Sequence, residues 1–414
     1  MDMNEIELGS VITDIAAGPF GSNLKVSCFV DDGFPIVDGA NLKGYKVTDN
    51  ITKYVTEEKA RSLHRSIARR GDIIVTISGT VGQIAYIPDD SQYEEYLCSQ
   101  RQFRATFDSR KVYVPYLVFY FHTYEGSHKI LSFVNQTGVP ALSQPLKNFK
   151  KIRLILPPLD EQKRIASIIE LLNNRIENNN LINQNLEEQA LSLFKQYFMD
   201  FEPYGGSVPS DWKEVSLDDV CSKITDGSHF SPADSPDSRY PMYSVKDMET
   251  YGFNPASCKH ISEEDYKKMQ NNDCVPLLND ILVAKDGSYL KEIFICSEQK
   301  EEAILSSIAI FRPDTTIIMP EILLYLLKQP IVRKDVGDNY VSGSALPRIV
   351  LKDFKKYRFT LPPMEEQRKI GEILSSIRKQ TKANIDEIHN LSRLRETLLP
   401  KLMSGDIDVS KIEV

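Results

Sequence analysis

The sequence has no run long and apolar enough to cross a bilayer. Its first ten residues, MDMNEIELGS, are acidic and polar, which does not fit a secretory signal. The six cysteines (Cys28, Cys98, Cys221, Cys258, Cys274 and Cys296) include no CxxC pair. That spacing argues against a metal site, and a disulfide framework is not expected in a chain of 414 residues. The cysteines read as reduced, cytoplasmic thiols that pack as small apolar side chains.

Catalytic signatures are missing as well. There is no GxxxxGK[ST], no HExxH, no GxSxG, no GxGxxG after a strand and no NPPY-like run of amino-methyltransferases. The six histidines stand singly, and His122 and His128 share no helical face. Glu57-Glu58-Lys59 could belong to a metal-dependent nuclease, but no partner carboxylate lies at a useful spacing. A basic footprint is also lacking overall, since the formal net charge is −8. The excess acid falls in residues 157–361, while the first 156 residues are near neutral, so local basic clusters remain available.

What is present is a repeat. LKNFKKIRLILPPLDEQKRIASII from Leu146 recurs, ungapped and 205 residues later, as LKDFKKYRFTLPPMEEQRKIGEIL from Leu351. Fainter echoes lie upstream. KYVTEE at Lys53 answers KHISEE at Lys259, and GDIIVTISGTVG at Gly71 answers NDILVAKDGSYL at Asn279. The drifting offset fits two diverged copies of one domain. Each copy reads as mixed α and β: short β-rich runs such as IIVTI and FRAT, a glycine turn, and proline-started helices at VPYLVFYFHTY and MPEILLYLLKQ.

After each LPP junction the pattern becomes helical. Pro158 and Pro363 suit a helix start, and Asp160, Glu161, Glu365 and Glu366 suit its positive end. Apolar positions then alternate four and three apart from Ile165 to Tyr197 and from Ile370 to Leu402, with Asn179 and Asn384 at equivalent mid-helix places. Glycines at 205–206 and at 405 suit helix stops. The expected fold is mixed α/β (α+β). Two globular domains, 1–156 and 206–361, are separated by two long antiparallel coiled-coil helices, 157–205 and 362–414, with pseudo-twofold internal symmetry. The two domains are expected at opposite ends of a rod. Asn179 and Asn384 are expected near each other, fixing helix register; the alternative is that the Asn-rich stretch from Asn173 breaks the helix.

The duplicated LPPLDEQKRI and LPPMEEQRKI carry a family resemblance. So do SLFKQYFMDFEPYGG, LLPKLMSGDIDV, GDIIVTISGTVGQ and TGVPALSQPLKNF. Together they resemble the specificity subunit of type I restriction–modification systems, over essentially the whole chain. The resemblance implies a noncatalytic DNA-recognition subunit with two target-recognition domains. They would read a bipartite double-stranded DNA target whose spacer the paired helices set. It implies two methyltransferase (M) subunits and motor–nuclease (R) subunits as partners. S-adenosylmethionine and Mg/ATP would be used in those subunits and no cofactor in this chain. The rival readings are a standalone metal-dependent nuclease and a coiled-coil scaffold.

Base edges are read by polar and basic side chains, and phosphates by Lys, Arg and backbone N–H. In the first domain these requirements select Ser22, Asn23, Lys25, Ser78, Thr80, Arg101, Gln102 and Arg104. In the second they select Thr225, Asp226, Ser228, His229, Lys285, Ser288, Tyr289 and Arg348. Each is also explained as a solvated loop residue. Arg69 and Arg70 suit phosphates or a solvated helix face equally. Lys150, Lys151, Lys355 and Lys356 fit DNA or the methyltransferase. KDGSYL keeps only half of the glycine turn SGTVGQ, which fits two domains that read different half-sites.

Overall fold

A computed structural model describes residues 4–135, 138–256 and 258–410. Thr137, which opens the TGVPALSQ stretch, lies outside them. The chain divides into two compact units, residues 1–177 with 388–414 and residues 178–387. Each unit therefore holds one globular head and a segment of both long helices.

In the first unit, strands Ile12–Ala17, Gln102–Phe107, Ile73–Thr76 and Ile84–Tyr86 form an antiparallel sheet in that order. A five-stranded sheet beside it includes a parallel pairing of Phe34–Val37 with Glu95–Cys98. The second unit repeats the plan. Cys221–Asp226, Ile308–Pro313, Ile281–Ala284 and Ile293–Ile295 take the same order, and Tyr240–Tyr243 pairs in parallel with Ala303–Ile304. Each head is closed by one antiparallel pair, Asn4–Glu7 with Arg153–Leu156 and Lys213–Ser216 with Arg358–Leu361. The second strand of each pair runs straight into LPP, where proline, lacking an N–H, ends the ladder.

The proline-started runs are helices at Val114–Phe121 and Pro320–Leu327, buried almost throughout. They are apolar on almost every face because each lies between a sheet and the long helices; Glu321 is the exception and pairs with Arg378 at 3.1 Å. Tyr116 and Phe119 join Ile165, Ala166, Ile169, Leu399 and Leu402 in one core cluster. Leu323 and Tyr325 join Phe194, Ile370 and Leu374 in another.

The long helices span Leu159–Phe198 and Met364–Ser404. Pro158 and Pro363 cap them, their carbonyls accepting the first helical N–H groups of Gln162 and Gln367. Within each unit the two helices run antiparallel. Asn173 meets Arg395 at 2.9 Å in the first unit; Asn179 meets Glu387 at 3.0 Å and Asn183 meets Asn384 at 2.7 Å in the second. The three buried amides of the Asn-rich stretch, Asn173, Asn179 and Asn183, are answered across the seam, which offsets their poor helix propensity. Asn179 and Asn384 are both buried, but each bonds to a different residue of the facing helix rather than to the other. The seam also drifts by one residue: Asn173, Phe194 and Phe198 are more buried than Leu172, Leu193 and Tyr197. An α-helix of 3.6 residues per turn drifts in this way against a strict 3.5 repeat.

One helix end departs from the sequence pattern and the other keeps it. The first helix stops at Phe198, well before the glycines, because Phe201 takes a left-handed φ of 54° and its ring packs on Trp212. Pro400 lies inside the second helix, which continues to Ser404 before Gly405 turns left-handed.

The glutamine of each LPP junction secures the helix to its head. Gln162 is fully buried; its Oε1 accepts from Tyr113 N at 2.8 Å, and its Nε2 donates to Lys111 O and Pro157 O, both at 2.8 Å. Gln367 repeats all three bonds with Met319 N, Ile317 O and Pro362 O at 2.9, 2.9 and 3.0 Å.

A second fastening exists in the first unit. The Arg395 guanidinium lies 5.5 Å over the Tyr45 ring, and Tyr45 packs against His122 at 4.4 Å. His122 Nε2 donates to Ile84 O at 2.9 Å. Burial, and then Arg395, hold its pKa below the ordinary value of 6.5. The folded state therefore binds fewer protons than the unfolded state as pH falls below 6.5, and stability is lost in that window. Thermal midpoints measured from pH 7.5 downward should fall less steeply for His122→Gln than for the parent. Identical profiles would show that His122 does not control this acid limb.

Candidate nucleic-acid interface

In the first head the loop before Leu24 is drawn onto the sheet edge by Gln100, whose Nε2 donates to Gly21 O at 2.8 Å and to Leu24 O at 2.5 Å. Gly18 permits that approach, since a Cβ there would meet Ser99 O at 1.9 Å. The result is an open cleft of about 810 Å³. Ser78, Thr80 and Arg101 line it together with Lys43, Lys53 and Gln100. Ser22, Asn23 and Lys25 are exposed on the loop whose Leu24 forms part of the wall. The cleft thus gathers hydroxyls, amides and cations, the donor set that base edges and phosphates require. One carboxylate is inside it. Burial works against the Asp38 carboxylate, but Lys53 at 2.6 Å and Ala40 N–H hold its pKa below the usual range.

The structure puts two of the selected residues to other use. Gln102 is 0% exposed, with Oε1 accepting from Ser99 N and Oγ at 3.2 Å. Arg104 is 6% exposed; it donates to Asp14 at 2.7 Å and Arg65 O at 3.1 Å, and lies 4.0 Å from Asp72. Both lie on the face of this central strand opposite the core residues Phe103, Ala105 and Phe107, where they are covered; Gln102 Nε2 is buried there with no hydrogen-bond partner among the described residues. Arg104 holds the Asp14 carboxyl pKa below its ordinary value, while burial raises that of Asp72. Arg69 and Arg70 are exposed but answered, Arg69 by Glu95 at 2.9 Å and Arg70 by Ser91 O at 2.7 Å. Glu57, of the suspected nuclease tripeptide, pairs with Arg61 at 2.7 Å.

The second head carries a different constellation at the equivalent edge. Lys285 is nearly buried between Asp226 at 3.3 Å and Asp286 at 3.0 Å. Arg348 lies 3.6 Å from Asp286, and His229 lies 3.3 Å from Asp226. Asp286 and Arg348 face each other across an isolated antiparallel bridge, as Ser78 and Ala141 do in the first head. Ser228 closes its own turn through Phe230, and Thr225 Oγ1 donates to Asp226 O at 3.4 Å. Ser288 is exposed, whereas Tyr289 leans on the helix Pro330–Asn339, its hydroxyl 2.5 Å from where a Gly337 Cβ would stand. The half-kept glycine turn has a complete backbone counterpart. Leu290 takes φ 50° where the first copy has Gly82 at 85°. The strain of a left-handed leucine replaces the glycine.

The two copies also appear as two separate matches to one family. The model of the "Type I restriction modification DNA specificity domain" matches residues 24–188 and again 209–391. The chain belongs to this specificity family. As a specificity component of a type I system it is a recognition subunit and not a catalytic one. The MjaIX specificity subunit of Methanocaldococcus jannaschii is 24% identical over 420 residues, covering 97% of this chain and 93% of that one. The HindI specificity subunit of Haemophilus influenzae is 21% identical over 401 residues, covering 82% and 87%. The crystal structure of a type I restriction–modification system S subunit from M. genitalium has the same fold. Its TM-score is 0.59 at 15% identity, covering 97% of this chain and 96% of that one. Lys43, Lys53 and Gln100 are among the cleft residues that the sequence reading did not select. Only the repeat of Lys53 as Lys259 marked any of them in advance.

Proposed function

We propose that this specificity subunit reads a bipartite DNA target, one half-site per globular head, with the antiparallel helices setting the spacer between them. In this reading two methyltransferase subunits dock on the helical regions, and motor–nuclease subunits complete the restriction complex. S-adenosylmethionine and Mg/ATP are used there and not in this chain, and the complex works in the cytoplasm. The observation that carries the proposal is the repeat of one head with different chemistry at its edge. Hydroxyls and cations line the first, where Ser78 sits; carboxylates set between Lys285 and Arg348 mark the second, where Asp286 sits. A shared scaffold with unlike edges suits two unlike half-sites, since base readout is decided by donors and acceptors at the groove. Sequencing of modified adenines in a genome that expresses the chain with its methyltransferase is the test. Two short defined blocks separated by an undefined spacer are expected. A single uninterrupted motif, or none, overturns the proposal.

A further inference from the structure

We propose that Lys147, Lys150 and Lys151 form a phosphate-contacting face on the first head, and that the second head's copy of this face is largely neutralised. The inference rests on the DNA-recognition reading above and adds to it where sequence-independent affinity comes from.

The three lysines lie on and just after the short helix Pro145–Lys150. Residues three and four apart share a helical face, so Lys147 stands beside both Lys150 and Lys151. Phe149 is buried in the sheet core and packs against Phe103 and Phe121, which fixes the lysine face outward. All three lysines are exposed, and among the described residues none is paired with an acid. The helix follows the strand Ala141–Leu142, which is tied to the cleft edge through the Ser78–Ala141 bridge and the bond from Leu142 N to Ile77 O at 2.9 Å. Asn148 Nδ2 donates to Ser143 O at 2.6 Å and secures helix to strand. The strand that leads into the helix thus reaches the cleft edge at Ser78, while Lys150 itself lies against Gly9, on the same head but outside the cleft lining.

The second head keeps the lysines, as Lys352, Lys355 and Lys356, and answers two of them. Lys355 lies 3.6 Å from Asp218, and Lys356 lies 3.7 Å from Asp353, the residue that replaces Asn148. The neighbouring arginines follow suit: Arg358 is 2.9 Å from Glu214, whereas Arg153 is 4.0 Å from Glu5. A lysine already beside a carboxylate gains less from a phosphate, because the carboxylate repels the incoming anion and must be separated from its partner. The first head thus offers a phosphate track and the second offers little of one.

The test uses the full chain, a random-sequence duplex and a duplex selected by the chain from a random library. The triple variant Lys147→Ala/Lys150→Ala/Lys151→Ala should bind random duplex roughly tenfold to a hundredfold more weakly near 0.1 M salt. Its slope of log affinity against log salt should be shallower by about 2 to 3, since each phosphate contact contributes about 0.9. The matching Lys→Arg triple should retain the parental slope. Lys352→Ala/Lys355→Ala/Lys356→Ala should change the slope by less than half as much. If the first triple binds random duplex with parental affinity and slope while the parent still prefers the selected duplex, this inference falls and the recognition reading stands. A first triple that binds DNA normally but no longer co-purifies with methyltransferase likewise overturns the inference, assigning the face to protein docking. If the parent shows no preference for the selected duplex, the recognition reading itself falls.

Discussion

Replacing Gln162 or Gln367 with leucine should destabilise the protein by roughly 3 kcal/mol or more at either position, read as a lowered denaturation midpoint. Leucine fills nearly the same space but leaves one N–H and two carbonyls without partners. In the first unit these are Tyr113 N, Lys111 O and Pro157 O. Each orphaned buried group costs about 1–3 kcal/mol, so three exceed the usual effect of a point substitution. Glutamate is the sharper probe. Gln162→Glu keeps the acceptor for Tyr113 N but aims a carboxylate at two carbonyls, which only the protonated acid can tolerate. The folded state would then bind a proton that the unfolded state releases near the ordinary glutamate range of about 4.3. The stability deficit of Gln162→Glu should therefore shrink as pH is lowered toward 4 and be full at pH 7. Leucine variants whose midpoints match the parent would show that the junction is held by apolar packing alone.

The repeat, the two heads and the long helices were legible because they rest on periodicity and on prolines, which act locally. The LPP junction was legible as a helix start, yet its glutamine was not legible as a fastener. Its partners, Lys111 and Tyr113 for Gln162, lie some fifty residues upstream, and nothing local marks a carbonyl as needing a donor. Recurrence of Gln at both junctions was the available signal. Among the residues selected for base contact, Ser78, Thr80 and Arg101 line the cleft, whereas Gln102, the first residue of its strand, and Arg104 are buried, a difference that depends on which face each side chain takes and not on its polarity. The acids Asp14, Asp72 and Asp280 that explain the strand arginines are distant in sequence. The mid-helix asparagines were placed correctly in the seam, but a facing residue depends on register, which a repeat offset does not supply.

The strand arginines also provide a measurement that separates structural from recognition roles. Arg312, one offset below Arg104, donates through Nε and Nη2 to both oxygens of Asp280, each at 2.8 Å. Asp280 is 0% exposed and otherwise accepts from Leu277 N at 2.8 Å. Arg312→Met removes the cation and leaves the carboxylate buried with that single N–H, a change expected to cost about 3–5 kcal/mol. The double variant Arg312→Met/Asp280→Leu should recover most of the loss, because a buried ion pair replaced by apolar groups of similar volume is close to neutral. Arg104→Met should cost less. Asp72 would still hold Arg69 N at 2.9 Å and Thr106 Oγ1 at 2.5 Å, and Asp14 is largely exposed to water. Denaturation midpoints of the three variants give the ordering directly. DNA affinity measured on the folded Arg104→Met protein decides the role: parental affinity with lowered stability assigns Arg104 to the sheet. Parental stability with lost affinity would return Arg104 to the DNA interface, and would require its guanidinium to leave Asp14 and swing outward on binding.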